Sequence, residues 1–145
     1  IEQLIGASTS VGFDSTKFAI SSFEDLQIVG VNGGILANSL YTLYNIYKNI
    51  TIACYATGSY GFKFDNIANE NTVLRARVIT DPGLSTGVIV NAQSVGLYEV
   101  AVETDAAIGI DIQSSGADCM ISGAYLEGND SYWFKNHRCY YIQCT

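Results

Sequence analysis

Four carboxylates, Glu99, Glu103, Asp111 and Glu127, fall in strand or strand-edge positions from which they can point outward together. Glycoside hydrolysis uses two carboxylates about 5–9.5 Å apart, the separation depending on mechanism. Parallel strands stacked about 4.8 Å apart deliver that spacing from positions one or two coils away. The chain has 14 acidic residues, however, and nothing in their order ranks these four above acids that merely solvate an exterior. The sequence therefore reads them as surface residues and leans away from catalysis. Arg77 and Glu99 read as outward neighbours on successive coils, a surface ion pair worth about 0–1 kcal/mol rather than a clamp for a substrate carboxylate. Trp133, the only tryptophan, shares an outward strand column with Leu36 and Ile89. A tryptophan there suits a sugar ring or a subunit contact, and the aliphatic company favours the contact.

Other chemistry is thinly represented. His137 stands alone, and Cys54, Cys119, Cys139 and Cys144 form no CxxC pair, so no metal site is expected. Four widely spaced cysteines read as buried, reduced thiols, which favours assembly in a reducing cytoplasm. Cys139 and Cys144 flank a strand-like Tyr140–Gln143 and read as core or edge residues. Seven Lys and Arg against 14 acids give a net charge of −7, which argues against nucleic acid. No apolar run is long enough to insert in a membrane, and no signal peptide is visible.

These residues must be held by an all-β scaffold. Tyr, Phe, Val, Ile and Thr are abundant, there is one Pro, and no long segment repeats apolar residues at helical spacing. Four segments open with Gly and then alternate: Gly34–Ala37, Gly61–Phe64, Gly87–Val90 and Gly109–Ile112; Ser131–Phe134 makes a fifth. Their starts lie 27, 26, 22 and 22 residues apart, one coil of a solenoid each. Alternation sends Ile35/Ala37, Phe62/Phe64, Val88/Val90, Ile110/Ile112 and Tyr132/Phe134 inward. Leu36, Lys63, Ile89, Asp111 and Trp133 go outward. The leading glycines imply positive φ or close backbone approach. Ser39, Asn66, Ala92, Ser114 and Asn136 recur five residues after each start and suggest a polar corner ladder. A second strand column is read at Leu26/Ile28, Ile50/Ile52, Ala76/Val78, Tyr98/Val100 and Ile121, and Leu40–Tyr47 as a packed excursion with tyrosines at 41, 44 and 47. A β-sandwich is the rival, but its hairpin turns are missing. The expected architecture is a right-handed parallel β-helix of about five to six coils, forming a single segment over residues 1–145. A strand that stops near Thr145 without a cap suggests part of a longer chain.

The coil resembles the pectate-lyase-like superfamily, and within it the β-helical tailspikes and tail fibres of bacteriophages. The segments that carry the likeness are Phe23–Gly30, Asn49–Ile52, the Gly-led strands and Ala117–Gly128, in which an Asp-Cys-Met-Ile-Ser strand precedes Tyr-Leu-Glu-Gly. The resemblance implies a homotrimer, a place on the virion surface among other tail proteins, and a host surface polysaccharide as target. A secreted polysaccharide lyase or glycoside hydrolase, or an adhesin-like structural solenoid, are the alternatives. The family's catalytic patterns are not matched: Asn71-Thr72 is followed by Val73, no Asp-Asp pair occurs, and His137 follows Asn136. No catalytic residue carries over, and no cofactor is expected.

Overall fold

The computed structural model describes residues 2–5, 11–30, 32–65, 68–80, 85–104, 108–113, 118–128, 132–136 and 141–143, with side chains described within 11–128, apart from residue 104, and at 135. Among them every element is a strand, and every pairing is parallel. The chain is a β-solenoid. About four complete coils span residues 22–119, with partial coils on either side, slightly fewer than the five to six expected.

Each coil has three faces. The first holds Ser22–Glu24, 46–48, 72–74, 96–98, Met120–Ser122 and Tyr141–Gln143. The second holds Glu2–Ile5, Leu26–Val29, 50–54, 76–80, 100–104 and Tyr125–Glu127. The third is a six-stranded sheet of Val11–Asp14, Gly33–Ala37, Tyr60–Phe64, Thr86–Val90, Ile108–Ile112 and Tyr132–Asn136. The sequence pattern revealed two of these columns. The missed one runs through residues 46–48, which lie in a strand and not in an excursion.

Two stacks of left-handed residues make the corners around the first face. Ile20, Tyr44, Glu70, Ser94 and Asp118 hold φ between 54° and 58° where the chain enters it. Asp25, Asn49, Arg75, Glu99 and Gly123 hold φ between 53° and 66° where it bends into the second face. Only one of these ten is glycine. Because each coil repeats its neighbour's backbone, the turn is imposed by stacking whatever the local residue prefers.

The core fills the space between the faces. Ile28, Ile52, Val78 and Val102 stack from the second face, Tyr47, Val73, Leu97 and Ile121 from the first, and Ile35, Phe62, Val88 and Ile110 from the third, all fully or almost fully buried. Phe13, Phe18, Phe23, Tyr47, Phe62 and Phe64 form a continuous aromatic chain, with Phe62 and Phe64 stacked at 6.1 Å. Aromatic pairs at such separations add to burial. The leading glycines stack in register, but not for positive φ. A Cβ on Gly34, Gly61 or Gly87 would strike the next glycine's carbonyl and the methyl groups of Ile52, Val78 or Val102. Close approach of the second and third faces is what demands glycine there.

The polar ladder lies elsewhere than expected. Asn45 and Asn71 are fully buried at the entry to the first face. The Asn45 amide donates to Asn71 Oδ1 at 3.1 Å, and Ser21's amide donates to Asn45 Oδ1 at 3.1 Å. Asn71 Nδ2 donates to the carbonyls of Thr42 (2.9 Å) and Ala68 (2.8 Å). Each side-chain amide thus satisfies turn backbone that would otherwise be buried unpaired. Ser39 instead accepts from the Tyr41 amide within its own turn, and Ala92 is apolar and buried. Asn66 and Ser114 lie outside the described residues.

Register also corrects the last two coils. Ile110 pairs with Phe134 and Asp111 with Lys135, so Trp133 aligns with Gly109 and Asn136 with Ile112. Spacing from Ser131 misplaced that rung by two residues. Similarly, Val100 and Val102, not Tyr98 and Val100, continue the Ile50/Ile52 column, and Ile121 belongs to the first face.

Candidate functional site

The outer side of the second face carries two side-chain columns. One reads Gln27, Thr51, Arg77, Ala101, Tyr125; the other, two residues along each strand, reads Val29, Ala53, Ile79, Glu103, Glu127. Alternation points these residues away from the core, because Ile28, Ile52, Val78 and Val102 between them point in.

Charge concentrates at the later coils. Arg77 Nε donates to Glu103 Oε1 at 2.9 Å and Nη2 to Oε2 at 2.8 Å, a two-pronged pair reaching diagonally to the next coil. The hydrogen bonds and the positive charge hold the Glu103 carboxyl below its ordinary pKa, so it stays ionised. On the next rung Tyr125 donates its hydroxyl to Glu127 Oε2 at 2.8 Å, which raises the phenol's pKa. Ala101, the smallest side chain in its column, lies in register between Arg77 and Tyr125. At the early coils of the same face Asp25, Leu26, Gln27, Asn49 and Thr51 line a depression of about 240 Å³. Asn49 Nδ2 donates there to Asp25 Oδ1 at 3.0 Å.

Of the four acids singled out, the fold brings Glu103 and Glu127 together as register partners on adjacent rungs. Glu99 sits at the left-handed corner, away from them. Asp111 lies on the third face and is buried, with Oδ2 accepting from Gln113 and Oδ1 without a partner. Arg77 is level with Ala101, not Glu99, and its partner is Glu103. Alternation located Arg77 and Glu103 on one side; the two-residue offset between rungs was not visible without the register.

Leu36 and Ile89 do share an outward column on the third face, with Lys63 between them and Asp111 then Lys135 beyond. Trp133 is not in that column, and its side chain lies outside the described residues. The stripe expected through Leu36, Ile89 and Trp133, interrupted by Lys63 and Asp111, therefore keeps its first four members and ends in Lys135 in place of Trp133. Exposed apolar surface gathers at the corner before the first face, where Phe18, Ile20, Leu40, Tyr41, Tyr44 and Ile46 are all exposed. Of the three clustered tyrosines, Tyr41 and Tyr44 face outward while Tyr47 is buried, its hydroxyl 2.7 Å from Ser15 Oγ.

Cys54 and Cys119 are buried, and burial pushes the Cys54 thiol up to about 12. Cys139, Cys144 and His137 lie outside the described residues. No group of three metal-ligating side chains occurs among the described residues. No helix is long and apolar enough to cross a membrane among the described residues. No family model matches the chain, and neither a curated protein nor a solved structure matches it.

Proposed function

We propose that this chain is a segment of a bacteriophage tailspike or tail fibre whose second face recognises a host cell-surface glycan. The observation that carries the reading is the column pair on that face: Tyr125 bonded to Glu127, Glu103 held by Arg77, and at the other end a depression lined by Asp25, Leu26, Gln27, Asn49 and Thr51. Sugars are bound by exposed aromatic faces beside fixed hydrogen-bond acceptors and donors, and this surface has both. The parallel coil suits a rod on the virion surface, assembled as a homotrimer with other tail proteins. Titrating the intact protein with polysaccharide extracted from host cells tests it. Tyr125→Ala should weaken binding at least tenfold with an unchanged melt; equal binding by the variant removes this face from recognition.

A second reading, part of a polysaccharide hydrolase or lyase, draws on one observation. Glu103 and Glu127 stand on adjacent rungs whose backbones are about 4.8 Å apart, close to the shorter of the carboxylate separations that glycoside hydrolysis uses. New reducing ends or unsaturated sugars released from the polysaccharide, and lost in Glu103→Gln or Glu127→Gln, favour the enzyme. Binding without release favours the receptor-binding segment, and neither activity favours a structural solenoid.

A further inference from the structure

We infer that the glycan taken by this face is uncharged and lies along the solenoid axis, with one ring seated over Ala101. The inference rests on the glycan-binding reading and narrows it to a substrate class and a direction.

The class follows from how the cations are used. Arg77 is the one cation in the two columns, and both oxygens of Glu103 occupy its guanidinium. Lys48 and Lys63, on the other faces, are held by Glu24 and Asp65 at 3.2 and 3.0 Å, and the exposed Arg75 stands outside the two columns, at the corner where Glu99 is the next residue of the stack. A sugar carboxylate or sulfate arriving over Ala101 would meet no uncommitted positive charge in these columns. It would instead meet Glu103 and Glu127 within a chain of net charge −7. Like charges at that separation repel, and displacing Glu103 from Arg77 would leave its carboxylate unpaired. Sugar hydroxyls have the opposite character: they donate, and a carboxylate accepts up to four hydrogen bonds.

The direction follows from the register. Along a single strand the outer side offers two or three side chains before the chain turns. Along the axis the first column runs from Gln27 and Thr51, which line the depression, past Arg77 and Ala101 to Tyr125. Four rung spacings make roughly 19 Å of continuous surface. Within it Ala101 is the one position where a small side chain stands between two large ones. Glu103 flanks it along the strand, and Tyr125, 55% exposed, bounds it on the next rung. A ring seated there presents hydroxyls to Glu103 and an apolar face to Tyr125.

The test uses the intact protein and four immobilised polymers: a neutral glucan, a polyuronate, a sulfated galactan and a partly deacetylated chitin. We expect retention on the neutral polymer at low and high salt alike, and at least a tenfold loss of that retention in Ala101→Leu, whose melt should match the parent's. Salt-sensitive retention on polyuronate or sulfated galactan, with none on the neutral polymer, overturns the inference but leaves glycan binding standing. Selective retention on the deacetylated chitin overturns the uncharged class. Neutral binding that survives both Ala101→Leu and Tyr125→Ala overturns the placement. If none of the four is retained, and host polysaccharide is not bound either, the glycan reading itself fails.

Discussion

Replacing Ile20 by glycine should make the protein more stable. Ile20 holds φ at 54° and is 83% exposed, so its side chain returns little burial. The left-handed conformation costs an L-residue roughly 1–2 kcal/mol, and a branched Cβ places isoleucine towards the upper end. Glycine removes that strain but widens the unfolded ensemble, which costs about 0.4–1 kcal/mol. The difference is roughly 1 kcal/mol in favour of Ile20→Gly. Gly123 supplies the mirror experiment, because it occupies the other left-handed stack with φ at 66°. A Cβ there would sit 3.6 Å from Glu99 Cγ, an ordinary contact, so Gly123→Ala adds backbone strain without a clash. It should cost about 1 kcal/mol. Urea unfolding reads both as shifts of midpoint at constant m. A less stable Ile20→Gly together with a neutral Gly123→Ala would refute the claim that stacking forces these residues into strained backbone.

Three further outcomes follow from the interior. Asn71→Ala leaves the Asn45 amide and the Thr42 and Ala68 carbonyls without their partner and should cost about 2–4 kcal/mol, measured by equilibrium unfolding; a loss below 1 kcal/mol would show the ladder to be dispensable. Gly61→Ala drives a Cβ into the Gly87 carbonyl and Val78, and should cost about 1–3 kcal/mol, whereas Gly58→Ala, with open space around it, should lose only the smaller cost of its positive φ. Burial raises Tyr47 to about 12, above its unfolded value near 10. Its contribution is therefore intact below pH ~10 and lost as pH rises towards ~12, an order of 2–3 kcal/mol. Cys54 acts in the same sense from a lower starting pH. Tyr47→Phe should flatten the alkaline fall in stability between those limits, and an unchanged slope would argue against a buried phenol.

What was legible in the sequence, and what was not, divides along physical lines. The third face announced itself because Gly34, Gly61 and Gly87 stand where a Cβ would strike the next rung's backbone, and alternation after them and after Gly109 is strict. The first face hid because its inward column, Phe23, Tyr47, Val73, Leu97 and Ile121, offers one buried side chain per short strand, too few for a period. Its corners hid for a stronger reason: Ile20, Tyr44, Arg75 and Glu99 are residues no turn rule would select for positive φ. The last rung is misread by spacing because 22 residues beyond Gly109 falls on Ser131, whereas register puts Trp133 level with that glycine. At the candidate site the residue types were visible, but the meeting of Arg77 with Glu103 and of Glu103 with Glu127 depends on coil lengths of 24 and 26 residues that only pairing fixes.

The parallel ladder has a mechanical consequence. Its backbone hydrogen bonds run between rungs, along the length of the rod, as do the Asn45–Asn71 and Ser59–Ser85 side-chain links. A load applied end to end therefore falls on one rung's bonds at a time, and the rod peels coil by coil from its weaker end at a force set by a single interface. A load applied across the rod falls on covalent backbone, which runs transversely through every face. The molecule thus resists being pulled apart across its width but is comparatively easy to unwind lengthwise, an anisotropy built into the direction of its strands.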